Sequence, residues 1–470
     1  MDQLDQADIQ GLLARGYGPL RAATFLLLGI DDPAAACRWL GTLAPQVTTV
    51  ASEPADTAVN VAFTATGLQH LGMPADVLGG FSFEFRAGMT TPNQRRALAD
   101  FGDDAPEHWL WGGPDTRAID AILLLYAKDD ATLAPLVREQ TQALAATGLS
   151  VIRELPTSDY GDREPFGFRD GLSQPSPDGL GKPAPAADTI APGEFVLGHK
   201  NEYGLLTERP LVEASTAATV LPEDTEGSGK RDVGRNGSYL VLRQLEQNVP
   251  GFWRTLEQRA AHADGSPDAE QRTAIAAKMV GRWPGGAPLA LSPERDDPAL
   301  ANSNDFAYHH ADAAGMACPI GAHVRRANPR DSLDPDPGSE RSIAINKHHR
   351  ILRRGRAYGT PISVEDALAG NDPGGERGLY FACLNANIAR QFQFVQHTWI
   401  NNAHFDGLYD DVDPFTGPRG SAGSIFTIPA DPVRKRLTGL PAFVRTRGGA
   451  YFFLPGVNAI RYLAAVGSVK

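Results

Sequence analysis

The order of apolar runs in the first third of the chain restricts the fold most. Residues 23–30, apolar apart from Thr24, read as a buried strand. Asp32-Pro33 follows, an N-cap residue before a proline at the first helical position, and the Ala/Leu-rich stretch to about Leu43 reads as helix. Residues 59–63 look like a second strand that enters a short helix near Leu68. Residues 121–127 make a third strand, Asp129-Asp130 caps a helix running to about Ala146, and residues 149–155 make a fourth strand. The order β-α-β-β-α-β, with extra material around 75–115, matches the ferredoxin-like unit, an antiparallel sheet with helices packed on one face.

A second, looser set of elements follows. Strands are expected at 239–245, 379–384 and 451–454, and helices at about 250–261, 389–400 and 457–464. Residues 157–200, 222–236 and 284–340 are rich in Pro, Gly, Asp, Ser or Asn and read as loops. Loops this long in a compact protein are usually functional or disordered. The expectation is an α+β chain of two ferredoxin-like units with antiparallel sheets and long inserted loops. An N-terminal domain would cover 1–220 and a C-terminal domain 236–470, within the range that 470 residues allow.

Composition removes several classes of function. A hydrophobic content of 42% supports sizeable cores, and a net charge of -12 argues against a nucleic-acid partner. Three cysteines, Cys37, Cys318 and Cys383, make no disulfide framework. The missing Cys-x-x-Cys spacing disfavours a structural zinc site and covalently attached haem. The start, Met1-Asp2-Gln3-Leu4-Asp5, is acidic where a signal peptide needs positive charge, and the apolar run at 22–30 is too short to span a bilayer. A cytoplasmic protein without a membrane partner is therefore expected. The adjacent pairs His309-His310 and His348-His349 are poorly placed to chelate one metal, because neighbours on a strand or helix point apart.

Three segments concentrate chemistry. Phe166-Gly167-Phe168-Arg169-Asp170-Gly171 sets a carboxylate between glycines, which permit unusual backbone angles and close approach. An Arg and an Asp in a loop also suit a surface ion pair worth little. Cys318-Pro319-Ile320-Gly321-Ala322-His323 is followed by Arg325, Arg326 and Arg330. Here small residues precede a histidine, and the arginines suit carboxylate partners such as haem propionates. A thiolate from Cys318 is a competing iron ligand on these residues alone. Residues 350–359 hold four arginines, either a solvated basic strand or a stabiliser of developing negative charge.

In this order the segments resemble the dye-decolourising peroxidase family. Gly167-Phe168-Arg169-Asp170-Gly171 matches the family's Gly-x-x-Asp-Gly motif, and Gly321-Ala322-His323-Val324-Arg325-Arg326 is similar to its proximal-ligand segment. Residues 351–355, ending in Tyr358-Gly359, are similar to the segment with its distal arginine, and 378–383 to the strand lining the distal face. The resemblance covers nearly the whole chain and is most like the larger, intracellular bacterial branch.

It implies a haem-dependent peroxidase that reduces hydrogen peroxide and oxidises dyes, phenolics or other small-molecule reductants. The cofactor implied is haem b (iron protoporphyrin IX), with His323 as metal ligand. Asp170 and Arg353 are the implied catalytic pair; Arg353 is preferred to Arg354 for its distance to Tyr358-Gly359. Gly167, Phe168, Arg169, Gly171, Arg325, Leu379, Phe381 and Phe394 are the implied cofactor contacts, and Asp413 is the implied hydrogen-bond partner of His323. Bulky donors would deliver electrons through a surface Tyr or Trp. A homodimer is left open, and the alternative is a non-catalytic protein that stores or senses haem.

Overall fold

The computed structural model describes residues 4–420 and 422–466, so the acidic start Met1-Asp2-Gln3 lies outside the described residues. The first unit runs β1 (Ala22–Ile30), α1 (Pro33–Leu43), β2 (Thr57–Phe63), β3 (Ala121–Ala127), α2 (Asp130–Ala145) and β4 (Leu149–Pro156). Both long helices start where the sequence places a cap. Asp32 accepts from Ala35 N at 3.1 Å and Asp129 from Thr132 N at 2.8 Å, satisfying amides that have no partner within the helix.

The second unit runs β5 (Ser238–Gln247), α3 (Val249–Ala260), β6 (Leu352–Arg353), β7 (Arg356–Tyr358), β8 (Gly378–Asn385) and β9 (Val444–Leu454). In both units the first strand lies between the last two. The two sets of strands meet where Phe453 of β9 faces Phe63 of β2, giving one nine-stranded sheet of order β6-β8-β5-β9-β2-β3-β1-β4, with β7 also on β8. Beyond β4, Ser158 N donates to Ala357 O at 2.9 Å, so the two far edges approach each other.

Alternation along the strands divides two cores. Val61, Leu123, Leu125, Val241 and Phe453 share one cluster with Trp39 and Leu40 of α1 and Tyr462 of the C-terminal helix Val457–Val466. Phe25, Leu27, Leu124, Tyr126, Leu240 and Phe452 face the other way, with Tyr358 and Tyr380. Each fully buried Leu or Phe contributes roughly 1.5–3 kcal/mol.

Three regions add to the sequence-based expectation. Residues 284–340, expected as loop, contain the one-turn helix His323–Ala327. Ala269–Val280 is a further helix, and Ser424–Ile428 pairs with Lys435–Leu440 as a hairpin. The expected helix at 389–400 is present but wound with bonds that skip five residues, as in Gln393 N to Ile388 O at 2.9 Å. Such winding is rare and is frequent at functional sites.

Candidate functional site

A cavity of about 310 Å³ lies against the sheet of the second unit. Period-two alternation builds one wall: Arg243, Leu245 and Gln247 of β5, Leu379 and Phe381 of β8, and Val444 and Thr446 of β9 reach it. Tyr380 and Ala382, between those positions on β8, pack in the opposite core. Phe392, Val395 and Ile400 from the widened helix, His323 from the one-turn helix and Phe168, Arg169 and Asp170 from the 162–170 loop complete the lining.

That loop is a small hairpin. Glu164 N donates to Phe168 O at 2.9 Å, and Asp170 N to Asp162 O at 2.9 Å. Gly167 and Gly171 have φ of 97° and 78°, angles that a side chain disfavours. Neither lines the cavity, so the glycines serve the turn and not the close approach to a flat group expected from the sequence. Phe168 is buried and stacks on Trp253 with centroids 6.3 Å apart, and Arg169 Nε pairs with Asp162 at 3.0 Å.

Asp170 meets the arginine segment. Arg353 Nη1 donates to Asp170 Oδ1 at 3.2 Å, and its Nη2 to Leu172 O at 2.7 Å. Its backbone N is held by Gln174 Oε1 at 3.1 Å. The guanidinium is thus tied to both the loop and β6, and it partners the one carboxylate that the motif supplies to the cavity.

His323 begins its helix and presents Nδ1 to Asp413 Oδ2 at 2.8 Å. Asp413 is fully buried, and its Oδ1 accepts from Phe415 N at 2.9 Å and Thr416 N at 2.8 Å. Burial alone would raise the Asp413 carboxyl, but the facing His323 and the hydrogen bonds outweigh it and hold it at about 2. Burial likewise favours a neutral His323, and the Asp413 charge overrides it to raise the ring. The bond commits Nδ1 and leaves Nε2 as the ring nitrogen that could take a metal. No cluster of three or more His, Cys, Asp or Glu suited to a metal occurs among the described residues. Cys318 is absent from the cavity lining, and burial pushes its thiol up to about 12, so it is no ready thiolate.

Four guanidiniums converge on the cavity beside Ser173. Arg282 Nη2 reaches Ser173 Oγ at 3.1 Å, and Arg350 Nη2 reaches Ser173 O at 3.2 Å. Arg330 Nη2 holds Asn304 Oδ1 at 2.6 Å, and Arg353 stands next to them on the lining. The carboxylates bonded within this group are Asp188, to Arg350 at 2.9 Å, and Asp170, to Arg353 at 3.2 Å. Burial, reinforced by Arg330 and Arg353, lowers Arg282 to about 10. An excess of buried positive charge is suited to carboxylates.

Besides the two glycines, two expected contacts lie elsewhere. Arg325 is fully buried away from the cavity, where it donates to Asp312 O at 3.0 Å and Cys318 O at 2.8 Å and lies over the Tyr308 ring. Two residues on from His323, it leaves a helix on another side. Arg330 lines the cavity instead. Phe394 stacks on His349 with centroids 3.9 Å apart, while Phe392 lines the cavity, again a two-residue offset on a helix. Ala322 is packed beside Trp283 and Cys318 and does not line the cavity. Leu379, Phe381, Phe168, Arg169, Asp170, Arg353 and His323 all reach it.

Sequence reasoning passed over Glu164, which lines the same cavity. Burial raises its carboxyl to about 7 against the pull of three hydrogen bonds. The available signal was its place two residues before Phe166.

No family model matches the chain. It is 31% identical over 496 residues to dye-decolorizing peroxidase msp1 of Mycetinis scorodonius, covering 98% of this chain and 88% of that protein. The multifunctional dye peroxidase DyP2 of an Amycolatopsis strain is 29% identical, covering 94% and 92%. A solved dye-decolorizing peroxidase in complex with 2,6-dimethoxyphenol superposes with a TM-score of 0.80 at 26% identity, covering 98% of this chain and all of that one. Identity at this level over nearly the full length of both chains, on the same fold, means that the chain belongs to the dye-decolourising peroxidase family.

Proposed function

We propose that this haem-dependent peroxidase takes hydrogen peroxide as oxidant, with His323 holding the iron of haem b and Asp170 and Arg353 acting on the peroxide. The observation that carries this reading is the convergence on one cavity of His323, the Asp170–Arg353 pair and the arginine group around Ser173. The donor set fits haem: one imidazole with Nδ1 engaged, apolar walls from Leu379, Phe381, Phe392 and Ile400, and guanidiniums for the two carboxylates. When bound, haem supplies an iron that accepts peroxide oxygen and stores oxidising equivalents.

The chain's own residues do the proton work. Asp413 fixes the tautomer and orientation of His323 and raises its basicity. The Asp170 carboxylate takes a proton from one peroxide oxygen and returns it to the other, acting as general base and then general acid. Arg353, 3.2 Å from Asp170, orients that carboxylate and stabilises negative charge on the departing oxygen. Phenolics and dyes are the proposed donors, as the 2,6-dimethoxyphenol complex of the compared structure suggests. Leu379 and Phe381 narrow the site, so bulky donors stay outside and pass their electrons in through a surface Tyr or Trp.

The division into an N-terminal domain over 1–220 and a haem-binding domain over 236–470 belongs to the same proposal, supported by the repeated strand order. A cytoplasmic setting is proposed as well, supported by the low count of three cysteines, and so is the larger bacterial branch, supported by the length of the chain and its long inserted loops. Among the described residues, no helix is long and apolar enough to cross a membrane.

The test is stopped-flow mixing of the purified haem protein with one equivalent of hydrogen peroxide between about pH 4 and 7. The Soret band of the parent should fall within milliseconds. Asp170→Ala and Arg353→Leu should keep the band and slow its loss by roughly 10²–10⁴-fold. Variants that react at the parent rate would leave a haem carrier or sensor as the better reading.

A further inference from the structure

We propose that Glu164 is a positioning residue for Asp170, its carboxylate clamping the hairpin that carries Asp170 to the end of β5. The inference rests on the role of Asp170 proposed above. Glu164 Oε1 accepts from Phe168 N at 2.9 Å, and Oε2 accepts from Phe166 N at 3.0 Å and Gln247 Nε2 at 2.9 Å. Its own backbone closes the turn: Glu164 N donates to Phe168 O at 2.9 Å, and Gly167 N to Glu164 O at 2.8 Å.

The two amides on the carboxylate flank Gly167, the residue at φ 97°. Two N–H groups, one on either side of Gly167, converge on one carboxylate, an arrangement that fixes the backbone between them. Asp170 stands two residues beyond the second amide. Gln247 supplies the rigid end of the clamp. It is the last residue of β5, faces Val444 of β9 in register, and donates its own N to Arg377 O at 2.8 Å. The carboxylate therefore joins the loop to the sheet wall from which Arg243 and Leu245 also line the cavity.

The surroundings show why an acceptor is needed. Phe166 and Phe168 are buried beside Phe252 and Trp253, an apolar setting in which a carboxylate is costly unless its oxygens are bonded. All three donors are neutral, so charge pairing does not explain the group. What it supplies is two oxygens at the spacing of two backbone amides and one side chain. Aspartate is one methylene shorter, and glutamine turns an NH2 toward an N–H.

The test compares the holoenzyme with Glu164→Gln, Asp170→Asn and the double variant, by the second-order rate of reaction with hydrogen peroxide. Glu164→Gln should slow the parent by about 10–100-fold, the range for a residue that orients a functional group. Haem content and the Soret maximum should stay at parent values. In the Asp170→Asn background the same change should have little further effect, because a positioning residue has nothing left to position. Hydrogen exchange at the amides of Phe166, Phe168 and Asp170 should accelerate, a readout independent of turnover. Gln247→Leu, which keeps the hairpin's own bonds, should give a smaller loss that also vanishes in the Asp170→Asn background.

A Glu164→Gln enzyme at the parent rate, or an equal loss with and without Asp170, would overturn the inference while a slow Asp170→Asn preserved the proposed function. An Asp170→Asn enzyme at the parent rate would remove the underlying reading itself.

Discussion

Arg353 and Arg354 are adjacent in the chain and serve opposite sides of the sheet: Arg353 Nη1 reaches Asp170 Oδ1 at 3.2 Å, and Arg354 Nε donates to Leu12 O at 2.7 Å. Arg354 Nη2 adds Leu13 O at 3.1 Å, so its guanidinium serves the N-terminal segment and leaves the cavity to its neighbour. One arginine belongs to the proposed chemistry and the other to the fold.

Arg354→Ala should therefore act on stability. It leaves the Leu12 and Leu13 carbonyls without their donors, a loss of about 1–3 kcal/mol. Urea denaturation should show the lower midpoint, and the peroxide rate of the folded protein should stay near the parent value. Arg353→Lys should do the reverse, since a point charge on a flexible stem cannot reproduce the two-bonded fork.

Asp413→Asn should weaken haem binding by about 10–100-fold, read by hemin titration, because His323 loses the carboxylate that orients it. The haem-free protein offers a pH test. Asp413 is held at about 2, below its unfolded value, so its stabilisation is present above about pH 3.9 and is lost as pH falls through about 2. For this fully buried group the contribution is on the order of 2 kcal/mol. His323 has the opposite linkage: its pKa is raised, so its contribution is present at acid pH and lost as pH rises through the folded value. Denaturant midpoints measured against pH should lose the acid limb in Asp413→Asn.

Arg330 and Arg325 should separate in the same way. Arg330→Ala removes a guanidinium that lines the cavity and lies 3.8 Å over the Phe306 ring. Loss of a charged hydrogen bond of about 1.5–3 kcal/mol would weaken hemin binding by roughly 10–100-fold. Arg325→Ala instead strands Asp312 in the interior, and breaking a buried pair costs about 3–5 kcal/mol. Thermal denaturation should show that loss most clearly.

Phe381→Ala should widen the site between β8 and the widened helix. The kcat/KM for a small phenol such as 2,6-dimethoxyphenol should rise, while the rate with peroxide changes little because Asp170 and Arg353 are untouched. The lost apolar contact with Phe392 should lower stability by about 2 kcal/mol. Steady-state kinetics with a small and a bulky donor would show whether the gain is confined to the small one.

Local pattern was enough for the architecture. The apolar runs, the caps at Asp32 and Asp129, and the strand order of the first unit depend on neighbours a few residues apart, and the structure reproduces them. The three chemical segments were visible too, because glycines and clustered arginines stand out against an ordinary composition. Which member of each cluster faces the cavity was decided only by the assembled sheet and helices. Arg353 and Arg354 are resolved by strand alternation, and Arg325 and Phe394 by the turn of a helix over two residues. Glu164 was marked only by its place two residues before Phe166, since its side-chain partner Gln247 lies 83 residues away and the contact exists only once β5 is folded against the hairpin. Spacing along a chain fixes the kinds of group available; the face on which each appears follows from rotations of about 100° and 180° per residue, and those can be applied only when the element and its register are known.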